Sequence, residues 1–233
     1  MRAKPKIAAL VPMRHHSVRV PEKNFRELAG KTLYWHILET LQACKEINLI
    51  AVDTDSPVIA EGIARHFPEV RVIPRPEYLS ADSVPMNEIL MYDTGQVSAD
   101  WYLQTHSTNP LLTPATISKA IRTFMDAWPA FDSMFTVTRM QTRLWDALTR
   151  PVNHNPNILL RTQDLPPIYE ENSCMYLFSR PTLELQHNRI GTRPLMYEIE
   201  ATEAQDIDVE SDFLIADLLM RHRLESQKKK KGK

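Results

Sequence analysis

Ile7-Ala8-Ala9-Leu10-Val11-Pro12 is the stretch on which the fold turns. An unbroken apolar run closed by proline reads as a strand buried on both faces, as in a parallel sheet. A polar, basic loop from Met13 to Asn24 follows it. Leu33, Ile37, Leu38 and Leu41 then recur at helical spacing. Leu49-Ile-Ala-Val52 repeats the strand pattern and ends in Asp53-Thr54-Asp55-Ser56-Pro57. Ser56 suits an N-cap and Pro57 a first helical position, with Val58, Ile59, Ile63 and Phe67 carrying that helix onward.

The alternation continues. Val70 to Ile73, Trp101 to Leu103 and Ser133 to Val137 read as strands. Helices are predicted at about 86–97 and after the cap Thr113-Pro114. Strand and helix in turn predict an α/β fold, a mostly parallel Rossmann-like sheet with helices on both faces. Right-handed crossovers bring the strand-end loops to one edge, and ligands bind outside the carboxyl ends of such strands. That geometry singles out Arg14 to Asn24, Asp53 to Ser56, Arg75 to Asn87 and the segment from His106 to Leu112.

After Arg139 the pattern dissolves into polar and proline-containing sequence, and Met175 to Phe178 reads as a strand again. Residues 139–180 are therefore expected to form a small β-rich excursion that pairs with another subunit. A last helix is expected at about 210–221. The main domain is taken as 1–223, and the Lys-rich tail 224–233 as disordered, because a like-charge run with few apolar residues cannot order itself against a core.

The 233 residues suffice for one large domain with a sizeable core. A formal net charge of -1 gives the whole chain no electrostatic commitment to nucleic acid, and only the lysine tail would support such binding. The apolar run at Ile7 is too short for a signal peptide, and nothing approaches a membrane span. Cys44 and Cys174 read as buried free thiols in a reducing compartment, so the cytoplasm is the expected location.

The loop Pro12-Met-Arg14-His15-His16-Ser17-Val18-Arg19-Val-Pro21-Glu-Lys23-Asn24 can bring Arg14, Arg19 and Lys23 around one polyphosphate. By charge alone a solvated basic loop is the simpler reading. Near the other end, Asp206-Ile207-Asp208 places two carboxylates around one apolar residue. On an extended segment both carboxylates face one way and Ile207 faces the core. Two adjacent carboxylates repel unless a cation joins them, although such a pair alone is more often a surface or helix-start feature.

The first loop resembles the nucleotide-binding loop of the acylneuraminate cytidylyltransferases, the CMP-sialic acid synthetase family. Pro12, Arg14, Ser17, Arg19, Pro21, Lys23 and Asn24 fall in register with Pro-Ala-Arg-Gly-Gly-Ser-Lys-Arg-Ile-Pro-x-Lys-Asn. His15 and His16 replace the paired glycines, and Val18 a lysine. Either the loop takes another path or the imidazoles touch phosphate. Arg75-Pro76 and Leu79-Ser-Ala-Asp82-Ser83 resemble the base-recognition stretch. Thr108-Asn109-Pro110-Leu111 resembles part of Gln-Pro-Thr-Ser-Pro-Leu-Arg, with His106 at the glutamine, Leu112 at the arginine and Gln104 nearby. Gln163 to Pro167, Glu171-Asn172 and Tyr176 match later pieces. The similarity runs over about 7–218.

The resemblance implies a nucleotide-diphospho-sugar transferase type fold and a cytidylyltransferase. Its substrates would be CTP and an acidic, sialic-acid-like sugar, its cofactor Mg2+, its assembly a homodimer, with residues 139–180 serving both the dimer contact and the sugar site. It implies catalytic roles for Arg14, Lys23 and Asp208. It implies nucleotide contacts from Pro12, Arg14, Ser17, Arg19, Lys23, Asn24, Arg75, Asp82 and Ser83. Sugar contacts would come from Gln104, His106, Arg161, Gln163 and Asn172, and metal ligands from Asp206 and Asp208. Arg193 is a further candidate for the sugar carboxylate. A nucleotide-sugar glycosyltransferase and a catalytically silent nucleotide-binding homologue stand as alternatives.

Overall fold

The computed structural model describes residues 4–17 and 19–231. Its elements in chain order are β1 (Ile7–Leu10), β2 (Glu27–Leu28), β3 (Lys31–Thr32), α1 (Leu33–Gln42), β4 (Leu49–Thr54) and α2 (Pro57–His66). Then come β5 (Arg71–Pro74), α3 (Met86–Gln96), β6 (Trp101–Thr105), α4 (Pro114–Ala127), β7 (Ser133–Met140), β8 (Ile168–Phe178), α5 (Arg180–Gln186), β9 (Pro194–Glu198) and α6 (Glu210–Lys231).

A seven-stranded sheet runs in the order β5-β4-β1-β6-β8-β7-β9. The pairs from β5 through β6 are parallel, as is β7 with β9. In this sheet β8 runs against both of its neighbours. The two faces sort by sequence parity. Ile7, Ala9 and Val11 pack with α1, α2 and α4, whereas Ala8 and Leu10 pack with Leu90 of α3 and Leu183 of α5. Alternating side chains of one apolar strand thus bury helices on opposite sides. Ser56 caps α2 through Ile59 N at 3.3 Å, and Thr113 caps α4 through Thr116 N at 3.2 Å, both ahead of a proline.

The excursion is only partly β-structured. β7 and β8 extend well beyond the runs that suggested them, and between them lie an isolated bridge (Trp145 to Pro151) and a turn at Thr162–Asp164. The tail departs from expectation more plainly: α6 continues through Lys231, so residues 224–231 are helical rather than disordered. Lysine is a good helix former, and a helix already nucleated by docked residues extends at low cost. The docked part is Phe213, Ala216 and Met220, which pack with Val20, Leu28, Leu33 and Ile207. The end of the tail, residues 232–233, lies outside the described residues. No helix among the described residues is long and apolar enough to cross a membrane.

Candidate active site

A cavity of about 450 Å³ opens at the carboxyl edge of the sheet. It is lined from the β1 loop, from the segments after β5 and β6, and from Asp206 and Asp208 near the other end of the chain. The volume is typical of a small-molecule site. Pro12, Arg14, Ser17, Arg19, Lys23, Asn24, Arg75, Asp82, His106, Asp206 and Asp208 all face it.

The β1 loop is held by its own polar groups. Asn24 donates to Arg14 O at 2.8 Å and accepts from Ser107 Oγ at 2.6 Å. The two histidines separate in role. His15 turns away, its backbone N–H donating to Asp55 at 2.7 Å and its Nδ1 lying 2.7 Å from Ser56 Oγ. It joins the loop to the cap of α2. His16 is exposed and lines the cavity.

The acidic pair has the expected disposition. Ile207 is fully buried, its N–H bonding Thr108 O at 3.1 Å, and Asp206 and Asp208 flank it at the cavity. Asp212 accepts from the backbone N–H of Asp208 and of Val209, each at 2.9 Å, which fixes the turn into α6. Arg19 pairs with Asp208 at 2.6 Å, and Lys23 Nζ donates to Ile207 O. Burial pulls the Lys23 ammonium down in pKa, and Asp206 and Asp208 pull it back up. Burial raises Asp206, whose buried Oδ1 has no hydrogen-bond partner. Two carboxylates and an unsatisfied acceptor fit a divalent cation that takes its remaining ligands from phosphate and water. Among the described residues, no group of three or more His, Cys, Asp and Glu side chains forms a self-sufficient metal cage.

Arg75 is fixed from behind. It ion-pairs with Asp53, both side chains almost wholly buried, and Asp93 of α3 joins them. Burial and the Asp53 charge push Asp93 up to about 9. Burial raises Asp53 as well, but Arg75 pulls it back. Nη1 of Arg75 is left as a buried donor with no acceptor.

On the opposite wall Gln104 is buried behind the lining. Arg189 Nη1 donates to Gln104 Oε1 at 2.6 Å, which turns the amide nitrogen toward His106 Nε2 at 2.9 Å. An arginine only donates, so the amide orientation and hence the His106 tautomer follow: Nε2 accepts and Nδ1 carries the proton. Burial, then Arg189, then Lys23 push His106 down to about 3, so the ring is neutral.

Besides Gln104, five expected contacts do not reach this cavity. Ser83 is exposed beside it and is not among its lining residues. Arg161 pairs with Asp164 at 2.6 Å, three residues along an exposed turn that also carries Gln163 and lies off the lining. Asn172 is tied to Thr136 at 2.7 Å and Thr138 at 3.0 Å across the sheet. Arg193, the other arginine considered, takes its backbone N–H to Asp132 and lies off the lining. Two polar lining residues lie outside the stretches singled out from the sequence, Arg189 and Ser173. Ser173 (φ 57) sits in an irregularity of β8 opposite Phe135 and Val137, where Tyr176 and Glu171 are the paired residues. A run of non-glycine residues gave no sign of that left-handed turn.

A family model described as cytidylyltransferase matches residues 8–229. The chain is 27% identical over 218 residues to N-acylneuraminate cytidylyltransferase A of Danio rerio, covering 91% of this chain and 50% of that protein. It is 28% identical to CMP-N,N'-diacetyllegionaminic acid synthase of Legionella pneumophila, over 92% of this chain and 96% of that one. It thus spans about half the length of the first curated relatives it matches, and nearly all of the Legionella one. The solved CMP:2-keto-3-deoxy-manno-octonic acid synthetase with CTP has the same fold, with TM-score 0.71, 15% identity, and coverage of 94% of this chain and 99% of that one.

Proposed function

Because the chain belongs to the cytidylyltransferase family, we propose that it transfers CMP from CTP to an acidic, sialic-acid-like sugar and releases pyrophosphate. The observation that carries this is the meeting of Arg14, Arg19 and Lys23 with Asp206 and Asp208 on one cavity. Cations and a bare acidic pair together suit a metal-bound triphosphate, which neither group would hold alone.

In this reading the sugar's anomeric hydroxyl oxygen attacks the α-phosphorus. The new O–P bond forms as the α–β phosphoanhydride bond breaks; the hydroxyl proton passes to water, and pyrophosphate departs with the bonding electrons. Arg14, Arg19 and Lys23 hold the phosphates and meet the charge that grows on the leaving group. The Nη1 donor of Arg75 and neighbouring backbone groups read the cytosine edge. Asp206 and Asp208 would hold Mg2+, which when bound supplies charge neutralisation on the phosphates and acidifies the attacking hydroxyl.

The chain acts as a homodimer in this proposal. Trp145, Leu148, Val152, Ile158, Leu159 and Leu160 are exposed along the excursion, and Leu159 is 90% exposed. So large an apolar group calls for cover. The two buried free thiols suit the reducing cytoplasm.

Pyrophosphate release from CTP and magnesium with a panel of acidic sugars tests the reaction. Sugar-dependent release supports it. Transfer from a preformed nucleotide sugar, with no release from CTP, would favour the glycosyltransferase reading instead.

A further inference from the structure

Arg189 is half-buried on the cavity wall, and no ion pair among the described residues includes it. A guanidinium removed from water without a carboxylate is costly, unless a ligand completes it. Its face lies 3.6 Å over the Tyr176 ring, and Nη1 is bound to Gln104. Stacking uses the face of the fork and leaves its edge free for a planar acceptor. Glu171, which favours the Arg189 charge, is engaged by the Tyr176 hydroxyl.

The sheet order says which part of the substrates this cation meets. Arg75 follows β5 and the phosphate cations follow β1, whereas Gln104 and Tyr176, the partners of Arg189, belong to β6 and β8. From β5 to β8 is four strand spacings, roughly 19 Å. A nucleotide lying with its base at Arg75 and its phosphates at the β1 loop therefore points its acceptor toward Arg189. We propose that Arg189 receives the carboxylate of the sugar acid and makes the enzyme refuse neutral sugars. The assignment rests on the cytidylyltransferase reading above. It adds Arg189 to Arg161 and Arg193 as a carboxylate candidate.

The test is pyrophosphate release by wild type, Arg189→Met and Arg189→Lys with magnesium and CTP. The acceptors are N-acetylneuraminate, N,N'-diacetyllegionaminate and 3-deoxy-manno-octulosonate, and then the C1 carboxamide of whichever reacts fastest. The wild type should favour acid over amide strongly. R189M should lose on the order of 100-fold in kcat/KM for the acid. It should lose little for the amide and keep its KM for CTP, and R189K should fall between. An unchanged acid-to-amide ratio in R189M, or a defect in CTP rather than sugar, overturns the assignment while the reaction itself stands. If R189M does not fold, R189K and the wild-type ratio decide, and a wild type blind to the carboxylate overturns it. A wild type that releases no pyrophosphate with any of these sugars sinks the function first and this assignment with it.

Discussion

Arg19 Nη2 lies 2.6 Å from Asp208 Oδ1, although 189 positions separate the two residues. The contact joins the phosphate-binding loop to the acidic pair. Both side chains are substantially exposed, so the pair is weak and easily exchanged. It occupies the carboxylate that a cation would need, and the arginine that a triphosphate would need.

Metal and nucleotide should therefore bind in concert. Arg19→Ala is expected to bind Mn2+ alone a few-fold more tightly, because Asp208 loses its competitor, and to bind CTP more weakly. Free Mn2+ measured by electron paramagnetic resonance, with and without CTP, reads both effects. Equal Mn2+ affinity in the two proteins would remove the competition.

Lys23 spans the same junction through Ile207 O. Lys23→Met removes a phosphate cation and the tether of the acidic segment together. We expect kcat/KM for CTP to fall by about 100- to 1000-fold, as for loss of one preorganised charge contact. A loss below about tenfold would assign the triphosphate to other residues.

The Arg75–Asp53–Asp93 cluster predicts how stability follows pH. Asp93 carries its proton up to about pH 9 when folded, against an ordinary value of 3.8. The native state thus binds more protons than the unfolded chain between those values. This contribution is complete below pH 3.8 and is lost progressively as pH rises toward 9. Asp93→Asn keeps the shape and abolishes the titration. Chemical denaturation across that window should show a smaller decline for the variant than for the wild type. Parallel curves would mean that Asp93 is ionised in the fold.

The sheet and the acidic pair were legible because each rests on local alternation. Ile7 to Val11 has apolar residues for both faces, and Ile207 must be buried if its flanking aspartates are to meet a ligand. Arg189 was not legible, since what defines it comes from far away, from Gln104 on β6 and Tyr176 on β8. Arg161 was a candidate as a bidentate carboxylate donor, and in this chain it lies on an exposed turn beside Asp164, off the cavity lining. Gln104 looked like a sugar ligand and instead orients His106 from behind. The lysine tail differs from expectation for another reason: charge density argues against a core but not against continuing a helix.

The excursion predicts the assembly. The wild type should sediment as a dimer at micromolar concentration, and Ile158→Asp with Leu159→Asp should shift it to a monomer. Analytical ultracentrifugation checks this. A wild-type monomer would leave those exposed side chains without the role given to them.

The claim under all of these is that one triphosphate meets both ends of the chain. A crystal grown with CTP and Mn2+ tests it most directly, through the anomalous signal of the metal. We predict a Mn2+ peak at Asp206 and Asp208, with the phosphates against Arg14, Arg19 and Lys23 and the cytosine toward Arg75. Phosphates bound away from the β1 loop, or a metal that leaves both aspartates free, would contradict the account.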